Sequence, residues 1–243
     1  MQSLLAHDQQ AVETCEYLAG IDEAGRGALA GPVVAAAVIV RKDFFTSEWC
    51  RLHAGTINDS KQLKAAQREL NYTRIIELAY NGGCWIGIGQ GSVEEIATHN
   101  ILGATRLAMR RALETAAASA KLPLTSASAE PDLFSLVEEK VTRSARQHLR
   151  ILVDGRPLKP FPYRHEGLVG GDGKSLVIAM ASNLAKVTRD ALLVAMENVH
   201  PGYGLAVHKG YATPQHCEAL AKLGPCCSHR ALFLRKLKLR QEG

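Results

Sequence analysis

The sequence Ala-Gly-Ile-Asp-Glu-Ala-Gly-Arg-Gly fills residues 19–27 of this 243-residue chain and decides how the rest is interpreted. An apolar run from Tyr17 to Ile21 predicts a strand, and two adjacent carboxylates, Asp22 and Glu23, follow it at once. Carboxylates are common ligands of Mg²⁺, and a glycine–arginine turn suits a phosphate because glycine permits close backbone approach and arginine binds bidentately. The stretch points to phosphodiester chemistry, while an acid pair at a solvated strand end is the plainer alternative.

The two carboxylates also raise a geometric problem. Neighbouring side chains on a regular strand point to opposite faces of the sheet. Asp22 and Glu23 can converge only if the strand breaks at Glu23. The small residues after it, Ala24, Gly25 and Gly27, predict such a break.

The order of predicted elements indicates an α/β fold, a mixed sheet flanked by helices with a C-terminal helical extension. The predicted strands lie at 17–21, 33–40, 85–90 and 151–153. The predicted helices lie at 64–80, 101–120, 133–141, 175–199 and 214–223, with one more after Ser228. The turn that ends at Gly31-Pro32 predicts an antiparallel pair for the first two strands.

We expect three parts along the chain. Residues 1–16 are a polar leader, residues 17–200 the catalytic domain, and residues 201–243 a helical segment that completes the substrate site. The stretch from Pro123 is bounded by prolines and rich in small residues, so residues 123–150 are predicted to be an insertion.

The amino-acid composition limits which binding partners and which cellular compartment we expect for the protein. Aromatic residues make up 5% of the chain, which argues against a surface built from base-stacking rings. The net charge of +5 favours polyanions only weakly, and the basic residues crowd a C-terminal tail from Arg230 to Arg240 that is either solvated or in contact with phosphates. Six cysteines without a signal peptide predict reduced thiols and a cytoplasmic protein.

Two further acids extend the carboxylate pattern. Asp154 ends a predicted strand before a glycine, where ligand sites in α/β sheets lie. Asp190 shares one face of the long helix with Asn183 and Lys186. The opposite face carries a predicted core stripe: Val177, Met180, Leu184, Val187, Ala191 and Val194. The polar face is predicted to bring Asp190 to Asp22 and Asp154, although a solvated Lys186–Asp190 pair is the alternative. Four such acids can hold two metal ions about 4 Å apart.

At this point the sequence resembles bacterial ribonuclease HII, a family of the ribonuclease H-like superfamily, from Leu18 to about Leu234. The resemblance rests on five motifs: Gly20-Ile21-Asp22-Glu23-Ala24-Gly25-Arg26-Gly27, Asn58-Asp59-Ser60-Lys61-Gln62-Leu63, Val153-Asp154-Gly155, Ala185-Lys186-Val187-Thr188-Arg189-Asp190 and His208-Lys209-Gly210-Tyr211-Ala212-Thr213. Asp190 and the lack of a long N-terminal extension favour ribonuclease HII over ribonuclease HIII.

The resemblance implies a monomeric enzyme that uses Mg²⁺ or Mn²⁺ to hydrolyse the RNA strand of RNA–DNA hybrids. It also implies incision 5′ to a ribonucleotide in duplex DNA, the first step of ribonucleotide excision repair. Its catalytic metal-binding set would be Asp22, Glu23, Asp154 and Asp190. Its substrate-binding residues would be Gly25, Arg26 and Gly27 at the ribose 2′-OH, Tyr211 on the adjoining sugar, and Lys61 and Lys186 near phosphates.

Some residues depart from the family pattern. Gly171-Asp172-Gly173-Lys174-Ser175 replaces a more serine-rich helix start, Asn183 stands at a position usually taken by isoleucine, and Ala231-Leu232 replaces an arginine–serine pair. These changes leave open a non-catalytic hybrid-binding module, and another nuclease of the superfamily is a weaker alternative. Gly173-Lys174-Ser175 resembles the end of a P-loop, but the glycine that the P-loop pattern requires five residues before Gly173 is missing. The histidines and cysteines near the C-terminus lack the spacing of a zinc site. No docking motif for a sliding clamp is evident.

Overall fold

The computed structural model describes residues 4–57, 63–126 and 147–235. Five strands form one sheet: β1 (Cys15–Ala24), β2 (Val33–Arg41), β3 (Trp85–Gly91), β4 (Gln147–Asp154) and β5 (Glu166–Leu168). The α-helices are α1 (Leu4–Ala11), α2 (Glu48–His53), α3 (Ala65–Tyr80), α4 (Val93–Ala120), α5 (Leu176–Val199), α6 (Leu205–His208) and α7 (Pro214–Leu223). Short 3₁₀ turns lie at Lys42–Thr46, Ala54–Thr56 and Gly171–Gly173, and residues 231–235 are helical. The predicted α/β fold with a C-terminal helical part is confirmed.

The sheet is mixed and its strands run in the order β3-β2-β1-β4-β5. β1 pairs antiparallel with β2, as predicted, and parallel with β4. Because β1 and β4 are parallel neighbours, their carboxyl ends meet at one edge of the sheet. Asp22 and Asp154 lie at that edge.

Two helices cover the sheet, one on each face. Alternate residues of β1 serve the two cores: Leu18 packs on the α5 side, and Ala19 and Ile21 pack on the α4 side. Gly20 allows α5 to approach β1 closely, since a Cβ there would lie 2.4 Å from the carbonyl carbon of Val177. The beginning of α5 is therefore held directly against the end of β1.

Several predicted boundaries are wrong. Residues 4–11 of the predicted leader are helix α1, whose buried Asp8 accepts a hydrogen bond of 3.0 Å from the Val177 amide and so caps α5. β1 runs through Ala24, so the predicted break at Glu23 does not occur. β4 already begins at residue 147, inside the predicted insertion. The helix predicted at 133–141 lies outside the described residues.

α5 differs along its length. The predicted core stripe is confirmed from Val177 to Leu184, all of whose members are fully buried. Beyond that point Ala191 and Val194 are exposed, and the inward positions belong instead to Arg189 and Leu193. The C-terminal half of α5 has passed the sheet edge and packs on the segment that contains α6, so the apolar stripe there faces a groove.

None of the helices in the described parts of the chain is both long enough and apolar enough to cross a membrane.

Candidate active site

Three aspartates meet at the carboxyl edge of the sheet. Ligand oxygens of Asp22, Asp154 and Asp172 all lie within 4.8 Å of one another. Asp22 is 3% exposed and Asp172 is 5% exposed, so two of the three are taken out of bulk water. Hard divalent cations bind oxygen ligands of this kind. We name this group the carboxylate cluster.

Each member of the carboxylate cluster is positioned by a different element. Asp154 is the last residue of β4, and Asp22 lies two residues before the end of the parallel strand β1. Asp172 is the middle residue of the Gly171–Gly173 turn before α5. The Gly171 amide donates a hydrogen bond of 2.6 Å to Asp154 Oδ1, which fastens the turn to β4. The close contact of α5 with Gly20 brings the same turn to the end of β1.

Electrostatics at the carboxylate cluster are unfavourable in the absence of a cation. Burial raises the pKa of Asp22 well above its ordinary value, and the negative charges of Glu23 and Asp154 raise it further. Hydrogen bonds to the Asp22 carboxylate from the Ser182 side chain and from the Glu23 amide, the latter 2.7 Å long, act in the opposite direction. Neither Asp22 nor Asp154 forms an ion pair with a basic side chain within the described residues.

Glu23 joins the carboxylate cluster to the glycine–arginine turn. Regular alternation along β1 directs Glu23 away from the face that carries Asp22, yet its charge still raises the Asp22 pKa. Glu23 Oε1 accepts a hydrogen bond of 2.9 Å from Arg26 Nη1. Arg26 itself is half exposed at its side chain, so the turn stands at the solvent-facing rim of the cluster.

A second group of polar residues lies farther along α5. Lys186 Nζ donates a hydrogen bond of 2.7 Å to Asp190 Oδ1 and lies 5.8 Å from the centre of the Tyr211 ring. The Arg189 guanidinium lies 5.4 Å from the same ring centre. Lys186, Asp190 and Tyr211 border a groove of about 570 Å³, which we name the α5 groove. It is lined by Ala65, Arg68, Glu69, Lys186, Val187, Asp190, Ala191, Val194, Val207, His208, Lys209 and Tyr211.

Buried histidines hold the backbone of Tyr211. His216 Nδ1 contacts the Tyr211 carbonyl at 2.9 Å, and His216 Nε2 contacts His229 Nε2 at 3.1 Å. His229 Nδ1 in turn accepts from the Cys226 amide. Burial lowers the pKa of both histidines, that of His229 to about 4, so both are neutral near pH 7.

A sequence profile of the ribonuclease HII family matches residues 19–236. The chain belongs to the ribonuclease HII family. It is therefore an endonuclease of the ribonuclease H class, as the sequence resemblance implied. Ribonuclease HII of Moorella thermoacetica is 44% identical over 216 residues, which span 89% of this chain and 85% of that protein.

Two solved structures share the fold of this ribonuclease HII. The structure of the PCNA:RNase HII complex from Archaeoglobus fulgidus gives a TM-score of 0.55 at 21% identity, over 88% of this chain and 93% of that one. Bst-RNase HIII in complex with Mn²⁺ gives a TM-score of 0.54 at 17% identity, over 88% of this chain and 65% of that one. At these identities the likeness concerns the fold, and it confirms the ribonuclease H-like sheet.

The structure separates the predicted site residues into two places. Asp22, Glu23 and Asp154 lie at the sheet edge beside the Gly25-Arg26-Gly27 turn. Lys186, Asp190 and Tyr211 lie together in the α5 groove, and Asp190 does not join the carboxylate cluster. Lys61 lies outside the described residues.

Asp172 takes the place in the cluster that the sequence analysis gave to Asp190. Helical spacing predicts that Asn183, Lys186 and Asp190 share one face of α5. That face does not bring Asp190 to the carboxylate cluster, because α5 extends past the edge of the sheet before residue 190. Asp172 was noticed only as part of a departure from the family pattern. The sequence did carry a signal for Asp172, since an acid between two glycines shortly before a long helix indicates a turn that can reach a strand end.

Proposed function

We propose that this ribonuclease HII is a metal-dependent endoribonuclease acting on the RNA strand of RNA–DNA hybrids. It also incises 5′ to single ribonucleotides embedded in duplex DNA, leaving 3′-hydroxyl and 5′-phosphate ends. The observation that carries the proposal is the meeting of Asp22, Asp154 and Asp172 within 4.8 Å at the sheet edge, beside a glycine–arginine turn.

The carboxylate cluster fits a divalent cation. Its donors are carboxylate oxygens, which suit Mg²⁺ and Mn²⁺, and within the described residues neither Asp22 nor Asp154 forms an ion pair with a basic side chain. Asp22, Asp154 and Asp172 would hold the ions, with Glu23 beside them. When bound, one or two such ions supply positive charge for the attacking and leaving oxygens of phosphodiester hydrolysis. Mn²⁺ in the complex of Bst-RNase HIII supports testing that ion beside Mg²⁺.

The glycine–arginine turn is suited to recognise ribose and phosphate. The amides of Arg26 and Gly27 donate to no acceptor among the described residues, so both are available to a ligand. Backbone amides beside an arginine suit a phosphate, and the 2′-hydroxyl is the group that distinguishes RNA from DNA at one nucleotide. We assign to Gly25, Arg26 and Gly27 the positioning of the ribonucleotide over the carboxylate cluster.

The α5 groove receives the nucleic acid next to the cut. Tyr211 is 36% exposed and offers a ring face on which a sugar can pack. Lys186 adds a cation, although Asp190 offsets much of its charge through their hydrogen bond of 2.7 Å. We assign Asp190 to this groove, where it orients Lys186, and not to the metal ligands.

The test uses three duplexes: DNA with one ribonucleotide, the same sequence as DNA only, and a continuous RNA–DNA hybrid. Each is incubated with the purified protein in Mg²⁺, in Mn²⁺ and in EDTA, and the products are sized and their ends identified. We expect incision 5′ to the ribonucleotide with either metal, cleavage of the hybrid, and no product from the DNA duplex or with EDTA.

Two results would contradict the proposal. Cleavage of the DNA-only duplex at a comparable rate would show that the 2′-hydroxyl is not recognised. Binding of the ribonucleotide duplex without cleavage in either metal would instead support the non-catalytic module.

A further inference from the structure

Two arginines are buried under the glycine–arginine turn. Arg189 in α5 is fully buried and Arg230, after α7, is 1% exposed, although the sequence pattern predicts for Arg230 a basic tail that is either solvated or in contact with phosphates. Neither forms an ion pair with a carboxylate within the described residues. Burial lowers the pKa of both arginines, and burial together with the charge of Arg189 lowers the pKa of Arg230 to about 9. Two buried, like-charged side chains are costly, so they call for an explanation.

Their hydrogen bonds all go to backbone carbonyls. Arg230 donates from Nε to Gly31 at 2.8 Å, and from Nη1 to Gly25, Arg26 and Ala28 at 2.8, 3.1 and 2.9 Å. Arg189 donates from Nε to Pro32 at 3.1 Å and from Nη2 to Ala30 at 3.1 Å. The two side chains thus gather six carbonyl groups of residues 25–32 from beneath.

This arrangement dictates what the turn presents to solvent. Because the carbonyls of Gly25 and Arg26 point inward to Arg230, the amides of Arg26 and Gly27 are left without acceptors among the described residues. Gly25 is required for the same packing: its φ is +93°, and a Cβ there would lie 1.9 Å from Arg189 Nε. The arginines turn the donors of this segment toward the substrate side.

Arg189 also connects the turn to Tyr211. Its Nη1 donates to the Lys209 carbonyl at 3.0 Å, and its guanidinium faces the Tyr211 ring at 5.4 Å. The Leu29 amide donates to the Gly210 carbonyl at 2.7 Å, which ties the two segments directly. The turn and Tyr211 therefore form one unit whose common support is the arginine pair.

We propose that Arg189 and Arg230 are positioning residues for recognition of the ribonucleotide. They hold the amides of Arg26 and Gly27 and the ring of Tyr211 in place, and their charge, which forms no ion pair with a carboxylate within the described residues, attracts a phosphate to the turn. This inference rests on the proposed function, because it takes the turn to be the ribonucleotide-binding element.

The test compares Arg230→Lys and Arg189→Lys with wild type on the single-ribonucleotide duplex. Lysine keeps the charge but lacks the planar fork that reaches several carbonyls at once. We expect KM to rise about 10-fold or more while kcat changes less than about 3-fold, because binding and not the chemical step depends on the turn. Arg51→Lys, at an exposed position in α2, is the matched control and should leave both constants unchanged.

The results distinguish failure of this inference from failure of the proposed function. An unchanged KM with a lower kcat and a lower melting temperature would mean that the arginines only stabilise the fold, and would overturn the inference. Absence of incision by wild type would instead reject the proposed function.

Amide hydrogen exchange of the wild-type protein provides the second measurement if the lysine variants do not fold. We expect fast exchange at Arg26 and Gly27, slow exchange at Leu29 and Gly31, and protection of the first two when the ribonucleotide duplex binds in EDTA. No protection at Arg26 and Gly27 would overturn the inference.

Discussion

The two halves of α5 serve two regions whose charges are arranged in opposite ways. The N-terminal half is buried and borders the carboxylate cluster, where Asp22 and Asp154 have no basic partner in the described chain. The C-terminal half borders the α5 groove, where Lys186 and Asp190 form a hydrogen-bonded pair of 2.7 Å. Within the described residues, Asp22 and Asp154 lack a basic partner at the proposed metal site, whereas Asp190 is paired at the proposed nucleic-acid site.

This contrast separates two aspartates that a sequence cannot rank. Asp172 lies in the turn before α5, and Asp190 lies within α5. Asp172 lies within 4.8 Å of the carboxylate oxygens of Asp22 and Asp154, whereas Asp190 is hydrogen-bonded to the ammonium group of Lys186. We therefore expect the catalytic residues to lie in the carboxylate cluster, where like charges are close together, as is common at active sites.

The largest effect is expected at the carboxylate cluster. Asp154→Asn removes a negative charge from the cluster, and cleavage of the continuous hybrid should fall by about 1,000-fold or more, as for loss of other groups that stabilise transition-state charge. The melting temperature should stay the same or rise, because like charges near Asp22 are relieved. Cleavage near the wild-type rate by the purified variant would contradict the role of this cluster.

The second effect compares the two regions directly. Asp172→Asn should lower kcat by about 100-fold or more, whereas Asp190→Asn should lower it by less than about 10-fold, because only Asp172 belongs to the cluster. Both variants are assayed at saturating hybrid with folding checked by circular dichroism. A larger loss for Asp190→Asn would restore the ligand set predicted from the sequence.

The third effect lies in the α5 groove. Tyr211→Ala should reduce kcat/KM on the single-ribonucleotide duplex by roughly 10-fold, since stacking on an aromatic ring contributes about 1–3 kcal/mol per base in comparable sites. Tyr211→Phe keeps the ring and is the control that should retain most activity. Equal losses on the continuous hybrid would refute a role at the ribonucleotide junction.

The smallest effect concerns the histidines that hold the Tyr211 backbone. Burial lowers the pKa of His229 to about 4, below the ordinary value of 6.5, so the unfolded chain takes up a proton before the folded chain does. The stabilisation is complete above pH 6.5 and is lost as the pH falls toward 4, by at most about 1.4 kcal/mol per pH unit.

Urea unfolding of wild type and His229→Gln at pH 7, 6 and 5 measures that loss. The free energy of unfolding of wild type should fall more steeply than that of the variant as the pH is lowered. Parallel decreases would show that His229 is not responsible.

Much of the fold could be predicted from local pattern. Apolar runs bounded by glycine predicted four of the five strands, and β5, only three residues long, offers too little pattern to detect. The helices at 65–80 and 214–223 follow their spacing and cap residues closely. Tertiary packing could not be predicted from local pattern. Nothing in residues 1–16 indicates that Asp8 caps α5. An apolar stripe on a helix does not reveal whether it packs against the core or borders a groove.

The site could be predicted where a carboxylate directly follows a predicted strand. Asp22 and Asp154 each follow an apolar run, so their meeting follows from parallel pairing alone. Asp172 depends on two contacts distant in sequence, the Gly171 amide on Asp154 and the approach of Val177 to Gly20. Arg230 resembled a solvated tail residue because burial of a charge is set by carbonyl groups of residues 25–31, which a local pattern cannot reveal.

Calorimetric titration with Mn²⁺ in the absence of nucleic acid measures whether Asp22, Asp154 and Asp172 hold the metal, as we propose. Wild type and Asp190→Asn should bind Mn²⁺ with affinities within about 3-fold of each other, whereas Asp172→Asn should bind about 10-fold more weakly or not measurably, as expected when a ligand is lost. Unchanged binding by Asp172→Asn together with weakened binding by Asp190→Asn would contradict the proposal.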